Sequence, residues 1–400
     1  MTFDYNKLEK ALAQNKVYDA WQYVQSLRET ISYMEISFEM LQKVHQHRKD
    51  ILVSVETKKM QEIRENGKTS LMVSDLEKTH LDVGGYELDD IIFLRKTSME
   101  FFHYGRMSMD VLFQIINAAL LGDEAFSVED KRLLSKLLRK LTSKPEFTNL
   151  LHLLDANKND VRFQYLMSFD NYMKHIKTVL ITVKNSIIIG SEDNFEINEF
   201  SYGGTVYPKE DALTKIQEIH DYIAQVIPAI LGEIEAQVPN CMSNESRIQE
   251  IHYKHVFTER EGKNYLDYAS FFIDVPNGIA DLPSEIKVYP LLIKPNNEIY
   301  SFDFRFDKIF IKKTGSDERG VVGVATLKNG VATNEFYRVY EVKPCNPIDF
   351  GLYAATFKDT YTSGKINMNI YAMDGTMLFI KDDPIKAPDS STENADSTEN

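Results

Sequence analysis

Apolar positions recur along the first half of the chain at the three-and-four spacing of an amphipathic helix. Leu8, Leu12, Ala20, Trp21, Val24 and Leu27, then Ile31, Met34, Phe38, Leu41, Val44, Ile51 and Val55, hold that period through residues 3–66 with no proline among them. Gly67 and Gly84-Gly85 punctuate a less regular stretch. A strong helix is predicted over 88–121, with Ile91, Leu94, Phe102, Met109, Leu112 and Ile116 on its apolar face and Gly122 as its stop. Ser127-Val-Glu-Asp130 reads as a capping box ahead of a leucine-rich helix that ends before Pro145. A short helix over 146–154 and a long one over 161–189 follow. A hairpin is predicted over 194–207, turning at Gly203-Gly204, and then a helix over 211–238 containing Pro228.

From His252 the period becomes two. Strands are predicted over 265–275, 286–293, 298–312, 321–327, 335–342, 350–357 and 366–380, with Asp374-Gly375 as a hairpin turn. Short strands without a helical pattern between them imply an antiparallel sandwich or barrel. Residues 386–400 have no apolar run and repeat Ser-Thr-Glu-Asn, so a disordered acidic tail is expected. The fold class is therefore multi-domain α+β. A helical bundle occupies 1–189, a hairpin-plus-helix connector 190–245, an antiparallel β domain 246–385 and the tail 386–400.

Charge sharpens this division. Residues 1–185 carry 26 basic and 26 acidic side chains, whereas 186–400 carry 20 and 34, so the whole net charge of −14 lies in the second half. That half is ill suited to phosphate contacts. The N-terminus has no basic region followed by an apolar run, and the longest nearly uncharged stretch, Val111 to Gly122, is far short of the ~20 residues of a membrane span. A cytoplasmic protein with no membrane association is expected. Cys241 and Cys345 have no partner at CxxC spacing, which argues against a disulfide framework or a structural zinc site. No phosphate loop, dinucleotide fingerprint, nucleophile elbow or zincin motif occurs, and neither His45/His47 nor His252/His255 has a convergent ligand set, so no cofactor and no metal are expected.

Candidate chemistry concentrates on two predicted helices. In Phe169-Asp-Asn-Tyr-Met-Lys-His175, Asn171 and His175 share a helical face, as do Asp170 and Lys174. On the preceding long helix His103, Arg106 and Asp110 form a polar stripe. The stripe can face Asn171 and His175 as a composite site, or stand in solvent with an Arg106–Asp110 pair; the exposed stripe is the preferred reading. Asp170 and Lys174 equally suit a surface ion pair, with His175 an ordinary polar helix residue. A basic run of Lys131, Arg132, Lys136, Arg139, Lys140 and Lys144 rides on the leucine helix, the pattern of a solvated face that also suits nucleic-acid or membrane surfaces.

A helical region closing on an Asn-x-x-x-His helix resembles the HEPN superfamily, over about 88–189. The resemblance implies a four- or five-helix bundle, often dimeric, and in many members a metal-independent ribonuclease with an Arg-Asn-x-x-x-His motif. Asn171 and His175 match that motif, while Asp170 stands at the Arg position. A carboxylate there repels the phosphate that the Arg holds. Arg162 lies eight residues away and does not restore the spacing. The expectation is an interaction or accessory protein of bacterial type with a degenerate, non-cleaving module binding a protein or RNA partner, and a homodimer formed through the helical region. The alternatives are an RNA endonuclease of defence or toxin type, using His175, Asn171 and a basic group such as Arg106, and a structural component of a phage or mobile element.

Overall fold

A computed structural model describes residues 3–68, 80–127, 132–184, 194–240, 251–260, 263–288, 291–293, 299–301, 308–328, 338–352, 370–371 and 377–380. The predicted capping box, the Asp374-Gly375 turn and the acidic tail fall outside or largely outside them. The chain divides into two compact units, Met1–Ser243 with Ile293–Ile299, and Asn244–Leu292 with Tyr300–Asn400.

The first unit is a helical bundle. Helices α1 (Tyr5–Gln14) and α2 (Tyr18–Asn66) are followed by a small hairpin, β1 (His80–Val83) and β2 (Tyr86–Asp89). Then come α3 (Asp90–Leu121), α4 (Leu133–Leu141), α5 (Thr148–Asn159) and α6 (Val161–His175). Without glycine or proline, α2 runs 49 residues, roughly 70 Å, and stops where Gly67 takes a left-handed conformation (φ 69°). Four helices start on an aspartate whose carboxylate accepts from first-turn N–H groups: Asp4, Asp89, Asp160 and Asp211. Each such cap contributes about 1 kcal/mol.

The helix predicted over 161–189 ends at His175 instead. Ile176 and Lys177 both donate to the Tyr172 carbonyl, closing the last turn. The β-branched run beyond it favours an extended chain and forms β3 (Ile181–Lys184), which pairs with β4 (Asn194–Ile197). The Gly203-Gly204 hairpin forms as predicted, from β5 (Phe200–Tyr202) and β6 (Thr205–Tyr207). After the two-residue β7 (Glu210–Asp211), which pairs with β4, comes α7 (Ala212–Gln237). Read from sequence as part of a connector, α7 instead supplies Ile216, Ile219, Ile223, Ile227 and Ile230 to the same core as α1–α6.

That core is tightest where α3 crosses its neighbours at Gly105. A Cβ there would stand 2.9 Å from Ile223 of α7, with Met34 of α2 and Leu166 of α6 close behind. Gly105 therefore lets four helices meet, and it brings its neighbours His103 and Arg106 to the α6 crossing.

The second unit is a sheet. Its strands are β8 (Ile251–Arg260), β9 (Lys263–Val275), β10 (Glu285–Val288), β13 (Lys308–Lys313), β14 (Val321–Leu327), β15 (Arg338–Pro344), β16 (Ile370–Tyr371) and β17 (Met377–Ile380); β11 (Leu291–Ile293) and β12 (Ile299–Ser301) make a separate two-stranded ladder. The order is β10-β15-β14-β13-β9-β17-β16, with β8 also on β9. The α+β class is as expected and most strand pairs are antiparallel, but among the described residues the sheet is mixed, because β9 runs parallel to both β13 and β17. Neighbouring residues point to opposite faces. Ile273, Ile309 and Ile311 join Tyr340 on one face, while Phe272 and Phe310 join Phe350 on the other. Residues 347–352 are helical, not the start of the strand predicted over 350–357. Among the described residues no helix is long and apolar enough to cross a membrane.

Candidate functional site

The polar stripe of α3 is half-exposed: the expected Arg106–Asp110 pair forms with the Asp110 side chain 52% exposed, while the stripe's other end turns to the bundle. It faces α6, and its partners are Asp170 and Lys174 rather than Asn171 and His175. Asp170 lies on the buried face of α6 with Phe163, Leu166 and Phe169 and is 1% exposed. A carboxylate so deep needs hydrogen-bond donors, and two reach it. His103 Nδ1 lies 2.9 Å from Oδ1, and Lys174 Nζ lies 2.6 Å from Oδ2. The expected Asp170–Lys174 pair therefore exists, but it hangs from a buried acid.

One turn along α3, Arg106 pairs with Asp110. The Arg106 side chain is 13% exposed, and its buried Nε has no hydrogen-bond acceptor among the described residues. Burial against neighbouring atoms pushes the Asp110 carboxyl above the usual carboxylate range. Asp170 adds to that rise, while Arg106 and Lys174 act against it. Asp110 and Asp170 thus share one field, and five charged or ionisable groups form a single half-buried cluster: His103, Arg106, Asp110, Asp170 and Lys174.

Asn171 and His175 lie beside this cluster, on the adjoining face of α6. Asn171 is half-buried and His175 is exposed in the last turn. Among the described residues neither side chain makes a hydrogen bond or an ion pair. Arg162 is engaged elsewhere. It donates to both oxygens of Asp160, at 2.9 and 2.6 Å, and lies 4.8 Å from the centre of the Tyr222 ring. Chemically, the cluster can orient one imidazole. With Nδ1–H donated to Asp170, Nε2 of His103 is the nitrogen left to exchange a proton, and the ring is 39% exposed.

Compared with known protein families, characterised proteins and solved structures, the chain matches none.

Sequence reading also missed a second histidine. His220 of α7 stacks on Phe38 of α2, with ring centres 4.0 Å apart, and its Nε2 lies 2.9 Å from a Glu35 oxygen. That hydrogen bond holds the imidazolium above its ordinary pKa, with lesser help from Asp221, while burial opposes it. A raised folded pKa means that the clasp's contribution is complete below the unfolded value of about 6.5. It is lost as pH rises through the folded value. Thermal melts followed by circular dichroism are expected to show the wild type more stable than Glu35→Gln in mildly acidic buffer, with the difference shrinking on the alkaline side. A difference that grows with pH would refute the assignment.

Proposed function

We propose that the helical unit is a non-catalytic binding module, a degenerate relative of the HEPN superfamily that holds a protein or RNA partner without cutting it. The observation that carries this reading is Asp170. Where an active member has an Arg to hold phosphate, this chain has a buried carboxylate with both oxygens already bound, by His103 and Lys174. A carboxylate in that place repels a phosphodiester, and its protein contacts give it a structural task. His175, the general-base candidate of the motif, has no orienting hydrogen bond among the described residues, and an unoriented imidazole makes a poor general base.

One observation favours a second reading, a ribonuclease built on other residues. The buried carboxylate of Asp170 orients His103, and Arg106 follows one turn later as a cation. In this version His103, not His175, exchanges the proton.

One experiment separates the two. Purified full-length protein is incubated with a panel of labelled RNAs in the presence of chelator, beside His175→Ala and His103→Ala. The expected result is no cleavage by any of the three. Cleavage that survives His175→Ala and disappears in His103→Ala would establish the second reading. Cleavage lost in His175→Ala would revive the motif itself and overturn the first.

A further inference from the structure

Helix α2 carries an apolar face that the bundle does not use. Met34, Phe38 and Leu41 turn into the core. Tyr33, Ile36 and Met40 lie on another flank of the same turns and are 41%, 54% and 41% exposed. At about 100° per residue they fall within an arc of roughly 60°. Helix α3 packs beside this flank and widens it. Its Tyr104 stands against Tyr33, with ring centres 5.2 Å apart. Met107 and Val111, at the next turns of the same α3 flank, are half-buried. Single exposed apolar side chains are ordinary. A strip of them along two packed helices, rimmed by charge, marks a contact surface.

The charges at the two ends of the strip differ in sign. Glu29 lies about two turns before Ile36, and Lys43 lies about two turns after it, with His47 one turn further on; all three are exposed. Each acid or base so far has a partner only within its own helix: Glu29 accepts from the Tyr33 hydroxyl at 2.5 Å, and Lys43 holds Glu39 at 3.0 Å. Laid parallel on a second copy, the strip would set Glu29 against Glu29. Turned end for end it complements itself. With a two-fold axis at Ile36, each Glu29 comes opposite the second copy's Lys43; with the axis at Phe38, it comes opposite the second copy's His47. A surface that matches itself under a two-fold rotation is what an isologous contact requires.

We infer that the outer face of α2 and α3 is the contact surface between two copies of this chain, with the two α2 helices packed antiparallel about Ile36. The apolar strip supplies the buried centre, and the Glu29 and Lys43 pairs at its ends fix the direction in which the helices run. An anionic lipid surface suits the strip poorly, because Glu29 and Glu39 flank it where an interfacial helix carries bases. The inference goes beyond the proposed function and does not depend on it. Helix α6 packs on the other flank of α3, through His103 on Asp170 and Phe102 on Phe169, so the polar cluster stays outside this contact.

The test is sedimentation equilibrium of the full chain over a range of concentrations. The wild type is expected to show a monomer–dimer equilibrium. Ile36→Glu/Met40→Glu sets like charges against each other in the apolar centre and should weaken association about 100-fold or more. A control at apolar residues exposed elsewhere, Val161→Glu/Val206→Glu (72% and 61% exposed), should leave it unchanged. Charge order is read with Glu29→Lys, expected to weaken association about tenfold, and with Glu29→Lys/Lys43→Glu, which should restore it. Circular dichroism checks that each variant is folded. A wild type that stays monomeric, equal loss in the two apolar variants, unchanged association in Ile36→Glu/Met40→Glu, or a double charge reversal that does not restore the dimer would each overturn the inference. Wild-type binding to phosphatidylserine vesicles that Ile36→Glu/Met40→Glu abolishes would assign the face to lipid and overturn it as well. RNA cleavage does not enter this readout, so the non-catalytic reading and this one stand or fall separately.

Discussion

Asp170→Arg, which rebuilds the full Arg-Asn-x-x-x-His pattern, is expected to unfold the helical unit rather than awaken a nuclease. The position is 1% exposed and already faces Lys174 and His103, with Arg106 nearby. A guanidinium there removes the acceptor that both His103 and Lys174 use and adds a positive charge beside Lys174. Breaking a buried ion pair costs about 3–5 kcal/mol, and forcing a larger side chain into packed surroundings adds about 1–3 kcal/mol. Part of the first cost is recovered, because His103 and Lys174 are 39% and 43% exposed and can turn to water. The sum still rivals the whole stability of an ordinary domain. Asp170→Asn keeps the volume and one acceptor oxygen and should cost only about 1–3 kcal/mol. Denaturant melts of both variants, with RNA cleavage assayed in parallel, decide the matter. A well-folded, RNA-cleaving Asp170→Arg protein would mean that Asp170 fills a vacant catalytic slot and holds nothing together.

The cluster was legible in the chain further than its preferred reading allowed. On α3 the row that contains His103, Arg106 and Asp110 begins at Met99 and ends at Phe113, which are partly and fully buried. A polar stretch bracketed by apolar residues on one row of a helix points inward. On α6, Asp170 follows Phe163 and Leu166 at seven and four residues, the same inward row. Periodicity thus placed Asp170 on a core-facing row and the α3 stripe at the edge of one. It could not say that the two rows face each other, because that depends on the crossing at Gly105. Helix boundaries failed for a different reason. The run Ile181 to Lys184 is compatible with a continued helical period, and only its pairing with residues 194–197 makes it a strand. The parallel pairs of β9 with β13 and β17 leave no local signal either, since alternation reads the same in parallel and antiparallel ladders. The His220 clasp joins positions 185 residues apart in sequence, a separation that no local pattern reports.

Arg48→Ala is expected to be the other severe lesion. Arg48 reaches from α2 to Asp90, the first residue of α3, and the two side chains are 1% and 5% exposed. Burial pushes the Asp90 carboxyl above its ordinary pKa even though Arg48 pulls it down. Burial thus works against the charged form of Asp90 while Arg48 works for it, the opposition expected of an ion pair in an interior. Removing one partner strands the other without compensation, at a cost of about 3–5 kcal/mol for Arg48→Ala and a similar amount for Asp90→Ala. For a unit of this size that corresponds to a fall in Tm of roughly 10 °C. The double replacement Arg48→Met/Asp90→Leu leaves no charge stranded, and Asp89 still caps α3 through the Ile91 and Ile92 N–H groups. It should recover most of the loss. If the double variant is as unstable as the sum of the single ones, the two side chains stabilise the unit independently and no coupling between them explains the losses. If it recovers, the Arg48–Asp90 contact secures which part of α2 meets the start of α3 more than it secures stability.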